Sequence, residues 1–118
     1  MSCTLSIGYS PCPNDTFIFY ALMHGRIPMH NIRFAPPVLE DVETLNSWAL
    51  AGKLEVTKLS FHALGHVQDQ YTMLGSGAAL GRGCGPLLVT RSELQPGDPA
   101  HWKIAIPGIY TTAALLLK

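Results

Sequence analysis

The chain has 118 residues, of which 47% are hydrophobic and 14% are charged. This is enough apolar material for one packed core but not for two, and it excludes an intrinsically disordered protein. Eight lysine and arginine residues balance eight aspartate and glutamate residues, so the formal net charge is zero. Because a neutral chain lacks the basic surface that attracts polyanions, we expect no nucleic-acid partner and no membrane partner.

The sequence also carries no signal for export. The first fourteen residues contain no lysine or arginine, and no segment reaches the roughly 18 apolar residues of a membrane span. We therefore expect a cytoplasmic location, where the three cysteines (Cys3, Cys12 and Cys84) stay reduced. The chain ends in an apolar run without a helix stop signal, which predicts a fragment of a longer protein.

The first elements are predicted to be a strand and a helix. Residues 4–9 (TLSIGY) have the composition of a buried strand, which the prolines that follow must end. A cluster of N-cap residues at 14–16, an apolar stretch at 17–24 and Gly25 in the C′ position predict a helix. Since an apolar run has no periodicity that separates helix from strand, a strand over 17–24 stays open as an alternative.

The next segment predicts a short strand and the clearest helix of the chain. Residues 33–39 form a strand candidate, which two internal prolines restrict to a sheet edge or a bulge. A helix opens at 40–41, and Gly52 stands where its C′ residue belongs. The apolar residues that share one face of this helix are Val42, Leu45, Trp48 and Ala49, at helical spacing.

Strands and helices continue to alternate after this helix. Residues 55–59 are a predicted strand, Ser60 is an N-cap for a helix over 61–67, and 71–74 starts another strand. Short strands joined by helical crossovers predict a parallel α/β sheet that helices cover on both faces.

The last third of the chain is predicted to leave this unit. Five of the eleven glycines lie between 75 and 85, which predicts an irregular bend, and 86–91 returns as a strand. A polar linker follows, after which 103–106 is a predicted strand and 111–118 the start of a helix. The predicted domains are a first α/β lobe at 1–91, a linker at 92–102 and the start of a second lobe at 103–118.

Three features resemble reactive or cofactor sites, but none of the three is strong enough to predict such a site. His62 and His66 have the spacing of a zinc motif, but Ala63 stands where that motif needs glutamate. The glycine run has its third glycine one residue late for a dinucleotide fingerprint and opens no amphipathic helix. Cys12 precedes a predicted helix start, a place that favours reactive thiols, yet a small residue in a rigid turn is the preferred interpretation. We expect no metal and no cofactor.

Three predicted loops share one edge of the predicted sheet. The carboxyl ends of parallel strands gather at one edge, where ligands bind beside helix N-termini. Residues 10–16, 58–60 and 107–112 occupy such positions and carry hydroxyl, amide or ammonium donors. Backbone N–H groups and positive helix ends suit this cleft to a small anion such as a carboxylate. The same residues could serve only as helix caps, and that interpretation stays open.

Four segments resemble a known family. They are SPCPNDTFIFY at 10–20, LEDVETLN at 39–46, TKLS at 57–60 and GAALGRG at 77–83. In this order they are similar to the 1,4-dihydroxy-6-naphthoate synthases of the futalosine route to menaquinone. The resemblance implies a periplasmic-binding-protein-like (type II) fold of two α/β lobes, used in the cytoplasm as a carbon–carbon lyase. It also implies a substrate, cyclic dehypoxanthinylfutalosine, which is split to give 1,4-dihydroxy-6-naphthoate.

The resemblance further implies which residues contact this substrate. The residues that match the family's Lys-Leu-Ser segment and paired threonines are Lys58, Leu59, Ser60, Thr111 and Thr112. Asn14, in the first of the three loops, joins them as a candidate. The family's catalytic histidine lies farther along the chain in complete members, and none of the five histidines here occupies its place. We therefore expect the catalytic base beyond Lys118 and no activity from these 118 residues alone.

Two functions of different classes remain open. One is the lyase, and the other is a small-anion-binding protein that uses the same cleft between lobes without chemistry. The missing export signal disfavours an exported solute receptor, whereas the SPCPNDTF segment favours the synthase. Both functions require a small-molecule partner, and both are compatible with an oligomer.

Overall fold

The computed structural model of the protein describes residues 2–91 and 101–118. In these residues, five short strands and four helices follow one another along the chain. They are β1 (Cys3–Leu5), β2 (Ile7–Tyr9), α1 (Pro13–Met23), β3 (Ile32–Phe34), β4 (Val38–Leu39), α2 (Val42–Leu50), β5 (Val56–Thr57), α3 (Phe61–His66) and α4 (Thr112–Leu117).

All the strand pairs of the described residues are parallel. β1 pairs with β3, and β2 is the central strand of a second sheet with the order β4-β2-β5. In that sheet Gly8 lies opposite Val38 on one side and Thr57 on the other. The prediction of an α/β fold with a parallel sheet is therefore confirmed, although the strands divide between two sheets.

The predicted strand over 4–9 is wrong in one respect, because Ser6 interrupts it. The backbone N–H of Ser6 donates to the Glu55 carboxylate at 2.7 Å, its hydroxyl donates to the same oxygen, and the Glu55 N–H donates to the Ser6 hydroxyl at 3.0 Å. These bonds give the Ser6 N–H a side-chain acceptor, while its carbonyl still accepts from the Val56 N–H at 3.1 Å, at the point where the chain passes from one sheet to the other. They also hold the pKa of the Glu55 carboxyl below its usual value.

The predicted strand over 33–39 is likewise two strands. β3 ends at Phe34 and β4 begins at Val38, with Pro36 and Pro37 between them. Proline has no N–H to donate to a ladder, so pairing stops at the two prolines and resumes beyond them.

The first helix begins four residues earlier than predicted, and the alternative of a strand over 17–24 is wrong. Cys12 is the N-cap, and its Sγ accepts from the backbone N–H of Asp15 at 3.4 Å. Pro13 occupies the first turn, where its missing N–H costs nothing. Gly25 follows the helix with a φ of 63°, which confirms its predicted position.

The second helix matches its prediction closely. Asp41 caps it by accepting from the backbone N–H groups of Glu43 at 2.9 Å and Thr44 at 3.0 Å. These bonds, with one from the Thr44 hydroxyl, lower the pKa of the Asp41 carboxyl. Gly52 adopts a φ of 61° after the helix. Leu45 and Ala49 are buried, as the periodicity predicts, and the same face also buries Asn46.

The core lies where α2 and α3 pack beside the central strand β2. Ile7, Leu45 and Val67 are its largest fully buried apolar side chains. β2 crosses this core at Gly8, which has no space for a side chain because a Cβ there would lie 2.6 Å from Leu54 Cδ1.

Three further predicted strands are wrong. Residues 71–74, 86–91 and 103–106 contain no strand, although their apolar composition favours one. A strand needs a neighbouring strand in a ladder, and no strand of the described residues runs beside these segments. Leu87 and Val89 are accordingly exposed.

The C-terminal helix starts near its predicted position, and the predicted linker lies mostly outside the described residues. Helix α4 begins at Thr112 with Thr111 as its N-cap, close to the predicted start at 111. Most of the predicted linker, residues 92–100, lies outside the described residues, and the division into two lobes stays a prediction. No helix within residues 2–91 and 101–118 is long and apolar enough to cross a membrane.

Candidate functional site

A cavity of about 860 Å³ opens where β5 ends and α3 begins. Lys58, Leu59, Ser60 and Thr112 all line it. The rest of its wall is mainly apolar and includes Phe19, Leu54, Val56, Phe61, Leu64, Met73 and Leu74. The structure therefore brings four of the six candidate site residues to one cavity.

The other two candidates lie elsewhere. Thr111 is 4% exposed, and its hydroxyl donates to the Gly108 carbonyl at 2.7 Å and accepts from the Ala114 N–H at 3.2 Å. These bonds occupy the hydroxyl in capping α4. Asn14 lines a separate cavity beside α1, with Phe17 and Leu80.

A buried carboxylate holds Lys58 at the cavity wall. Asp15 is 4% exposed, and its Oδ1 lies 3.2 Å from Lys58 Nζ. Its Oδ2 accepts from the N–H of Ser10 at 3.1 Å and from the hydroxyl of Ser10 at 2.9 Å. Lys58 is the one basic residue among the described residues that line this cavity, and Asp15 already balances its charge.

Asn46 fixes the orientation of Ser60. The side-chain Oδ1 of Asn46 accepts from the Ser60 N–H at 2.9 Å, and its Nδ2 donates to Ser60 Oγ at 3.1 Å. Ser60 is the N-cap residue of α3, as predicted, but its hydroxyl makes no capping bond. Because Oγ accepts from Asn46, the hydroxyl proton of Ser60 is available to donate into the cavity.

Thr112 is held at the cavity by α3. The backbone N–H of His62 donates to Thr112 Oγ1 at 3.4 Å, which leaves the threonine hydroxyl proton available as a donor. His62 Nδ1 lies 3.2 Å from the carbonyl of Thr111, and a carbonyl can only accept, so Nδ1 carries the proton. The ring of His66 packs 5.1 Å from that of His62 and 5.9 Å from that of Tyr110.

The three loops predicted to meet at the sheet edge are thus in contact. Asp15 and Lys58 join the first loop to the second, and His62, just after the second loop, joins the third through Thr112. The result is a cavity with the Ser60 and Thr112 hydroxyls and the balanced Lys58 ammonium, and with a wall that is otherwise mainly apolar but also carries Glu55 and Gln70. Such a site suits an organic molecule with ring surface and oxygen acceptors.

Comparison with known proteins decides the family. The family model described as menaquinone biosynthesis matches residues 5–118. The chain belongs to this menaquinone biosynthesis family. The resemblance found in the motifs of the sequence is thereby confirmed.

Proteins from two bacteria are similar to the chain. It is 56% identical to the 1,4-dihydroxy-6-naphthoate synthase of Thermus thermophilus over 118 residues, 97% of this chain and 40% of the relative. It is 44% identical to the enzyme of that name from Streptomyces coelicolor over 119 residues, 98% of this chain and 39% of the relative.

A solved structure is similar to the chain in both sequence and fold. The crystal structure of a protein from Archaeoglobus fulgidus superposes with a TM-score of 0.83 and is 40% identical, over 97% of this chain and 41% of that protein. The chain therefore spans about two fifths of the length of the relatives that it matches.

Three residues of the site were not predicted as functional. Asp15 contacts Lys58, Asn46 contacts Ser60, and Glu43 contacts the segment before Thr112. Asp15 belongs to SPCPNDTF, and the other two belong to LEDVETLN. For Asn46 the available signal is its place beside Leu45 on the buried face of α2, and no comparable local signal marks Asp15 or Glu43.

Proposed function

We propose that this chain forms the N-terminal part of a 1,4-dihydroxy-6-naphthoate synthase. The enzyme would be a cytoplasmic lyase that splits cyclic dehypoxanthinylfutalosine to release 1,4-dihydroxy-6-naphthoate. In this proposal, residues 1–91 form the first lobe of a periplasmic-binding-protein-like fold, 92–102 the linker and 103–118 the start of the second lobe. The names of the two bacterial relatives support the activity, and the cavity at Ser60 supports the substrate class.

The cavity is the observation that carries the proposal. Its volume of about 860 Å³ lies within the range of roughly 300–1,000 Å³ for ligand sites. Apolar walls bury the carbon skeleton of a ring system, while Ser60 and Thr112 donate hydrogen bonds to its oxygens. Lys58 adds an ammonium group that Asp15 holds in place.

The size and the apolar wall of the cavity favour this substrate over a small inorganic anion. A receptor for a small anion needs converging charged or N–H groups close around it. Here the volume is about 860 Å³, most of the wall is apolar, and Lys58 lies 3.2 Å from the Asp15 carboxylate. The second function, anion binding without chemistry, therefore has weaker support.

The catalytic base of the proposed lyase would come from beyond Lys118. A general base must lie within hydrogen-bond reach of the proton that it removes. His62 and His66 belong to the ring cluster with Tyr110 and do not line the cavity. The role of the described residues is then to bind and orient the substrate.

Ser60→Ala tests the binding role. We expect this change to weaken the binding of 1,4-dihydroxy-6-naphthoate by about three- to a hundredfold, since a lost hydrogen bond costs roughly 0.5–3 kcal/mol depending on the charge of its partner. Calorimetry would measure the dissociation constant on the chain extended by the part of the Thermus thermophilus relative that follows the aligned segment. This protein is called the extended chain below.

The matched control is Ser47→Ala, because Ser47 is exposed on the same helix as Asn46 and does not line the cavity. It should bind like the unchanged protein. Inorganic phosphate is titrated in parallel. Tight phosphate binding with no binding of the naphthoate would favour the anion receptor and refute the proposed lyase.

A further inference from the structure

The motif LEDVETLN at 39–46 marks the family, yet none of its polar side chains lines the cavity. Two of them, Glu43 and Asn46, lie one helical turn apart on α2. Asn46 is fully buried and Glu43 is half-buried. Polar side chains kept in such places need partners, and the partners of these two are Ser60 and the segment just before Thr112.

Asn46 holds Ser60. It bonds both the backbone N–H and the hydroxyl of Ser60, at 2.9 Å and 3.1 Å. Its Nδ2 also donates to Glu43 Oε2 at 3.3 Å. The side-chain amide is therefore fixed by a backbone donor at one end and a carboxylate at the other, which sets the rotamer of Ser60.

Glu43 holds the segment that precedes Thr112. Both of its carboxylate oxygens accept from the backbone N–H of Tyr110 at 3.3 Å, two residues before Thr112. The carboxylate also packs against Gly108, where a Cβ atom would collide with it. The segment that carries Thr112 thus rests on Glu43, and the close approach requires glycine at 108.

We propose that Glu43 and Asn46 are positioning residues that fix the Ser60 and Thr112 hydroxyls relative to each other at the start of α3. Helix α2 is one rigid element, and its two side chains hold Ser60 and the segment before Thr112 to it. This inference rests on the proposed function for its ligand, but the contacts themselves are testable without ligand. It assigns a physical role to the LEDVETLN motif.

Glu43→Ala in the extended chain is the direct test. We expect the dissociation constant of 1,4-dihydroxy-6-naphthoate to rise at least about tenfold, because small displacements of positioning groups cost up to about a hundredfold. Glu43→Gln keeps an oxygen that accepts from Tyr110 and should stay within about threefold. Glu40→Ala removes a nearby carboxylate with no role in the cavity and should change nothing.

Gly108→Ala reaches the same contact from the other side. The added methyl group displaces Glu43 and is also strained because Gly108 has a φ of 158°, so binding should weaken at least as much as in Glu43→Ala. The double variant should lose less than the sum of the two single losses, because truncation of Glu43 removes the atoms that the methyl group meets. Additive losses would contradict the shared contact. If Glu43→Ala does not fold, Glu43→Asp is used in its place, because it withdraws the carboxylate by one methylene.

Amide hydrogen exchange separates this inference from the proposed function. The Tyr110 amide should exchange at least about tenfold faster in Glu43→Ala, and the Ser60 amide in Asn46→Ala, than in the unchanged protein. Unchanged exchange at both amides, unchanged naphthoate affinity in Glu43→Ala, or equal weakening in Glu43→Ala and Glu43→Gln would overturn the inference. Failure of the unchanged protein to bind the naphthoate would refute the proposed function, and the exchange rates would still decide the positioning role.

Discussion

Asp15→Ala is expected to destabilise the protein by about 3 kcal/mol, near the lower end of the range for breaking a buried ion pair. The change leaves the Lys58 ammonium without its partner at 3.2 Å. It also deprives the N–H and hydroxyl of Ser10 of their acceptor. The lower end of the range applies because the Lys58 side chain is 24% exposed, so water partly replaces the carboxylate. Urea unfolding of the extended chain measures the loss.

Two companion variants make this test specific. Asp15→Ala combined with Lys58→Met should be more stable than Asp15→Ala alone, because the second change removes the unpaired charge. Asp69→Ala removes an exposed carboxylate and should shift the free energy of unfolding by less than about 0.5 kcal/mol. A loss below about 1 kcal/mol for Asp15→Ala would show that the ion pair does not support this edge of the sheet.

Gly8→Ala is expected to destabilise the protein by about 1–3 kcal/mol, the usual cost of overpacking a core. A Cβ at residue 8 would lie 2.6 Å from Leu54 Cδ1 and 3.0 Å from Leu45 Cδ2. Leu45 is fully buried and Leu54 is 8% exposed, so neither side chain has solvent into which it can move. Thermal unfolding measures the effect.

Two variants separate overpacking from the general effect of adding a methyl group. Gly65→Ala adds the same group on α3, where nothing lies within 4 Å, and should be neutral or stabilise by up to about 1 kcal/mol. Leu54→Val makes room at residue 8, so its cost combined with Gly8→Ala should be less than the sum of the two single costs. A neutral Gly8→Ala would mean that β2 does not pack against Leu54 as the structure shows.

The helices and the parallel pairing could be predicted because their signals are local. Asp41, the apolar spacing of α2 and Gly52 lie within one short segment, and each has a direct structural meaning. The alternation of strands and helices then predicts parallel pairing, since crossovers of this length carry the chain back to the same edge.

The strands were predicted less well because pairing depends on distant parts of the chain. No sequence pattern near Ser6 indicates that Glu55 will bond to it and divide the first strand. Residues 71–74, 86–91 and 103–106 have the composition of strands, but composition cannot supply a neighbouring strand. The start of α1 was misplaced because Cys12 is an unusual N-cap, and Asn14 to Thr16 offered a more ordinary one.

The candidate site was predicted in outline and not in its supporting contacts. The ends of strands and the starts of helices identified 58–60 and 107–112 from the sequence, and the structure brings Ser60 and Thr112 to one cavity. Thr111 illustrates the limit, because two adjacent threonines look alike in sequence while only Thr112 lines the cavity. Glu43 and Asn46 act through contacts 14 to 67 residues away, which no local pattern shows.

Product formation tests the central claim most directly. The claim is that this chain supplies the substrate cavity of a 1,4-dihydroxy-6-naphthoate synthase and that the catalytic base lies beyond Lys118. Cyclic dehypoxanthinylfutalosine is incubated with the extended chain and with the 118-residue chain, and the naphthoate is quantified by chromatography. We predict 1,4-dihydroxy-6-naphthoate from the extended chain alone. Turnover by the 118-residue chain as a monomer, or no product from a folded extended chain, would contradict the claim.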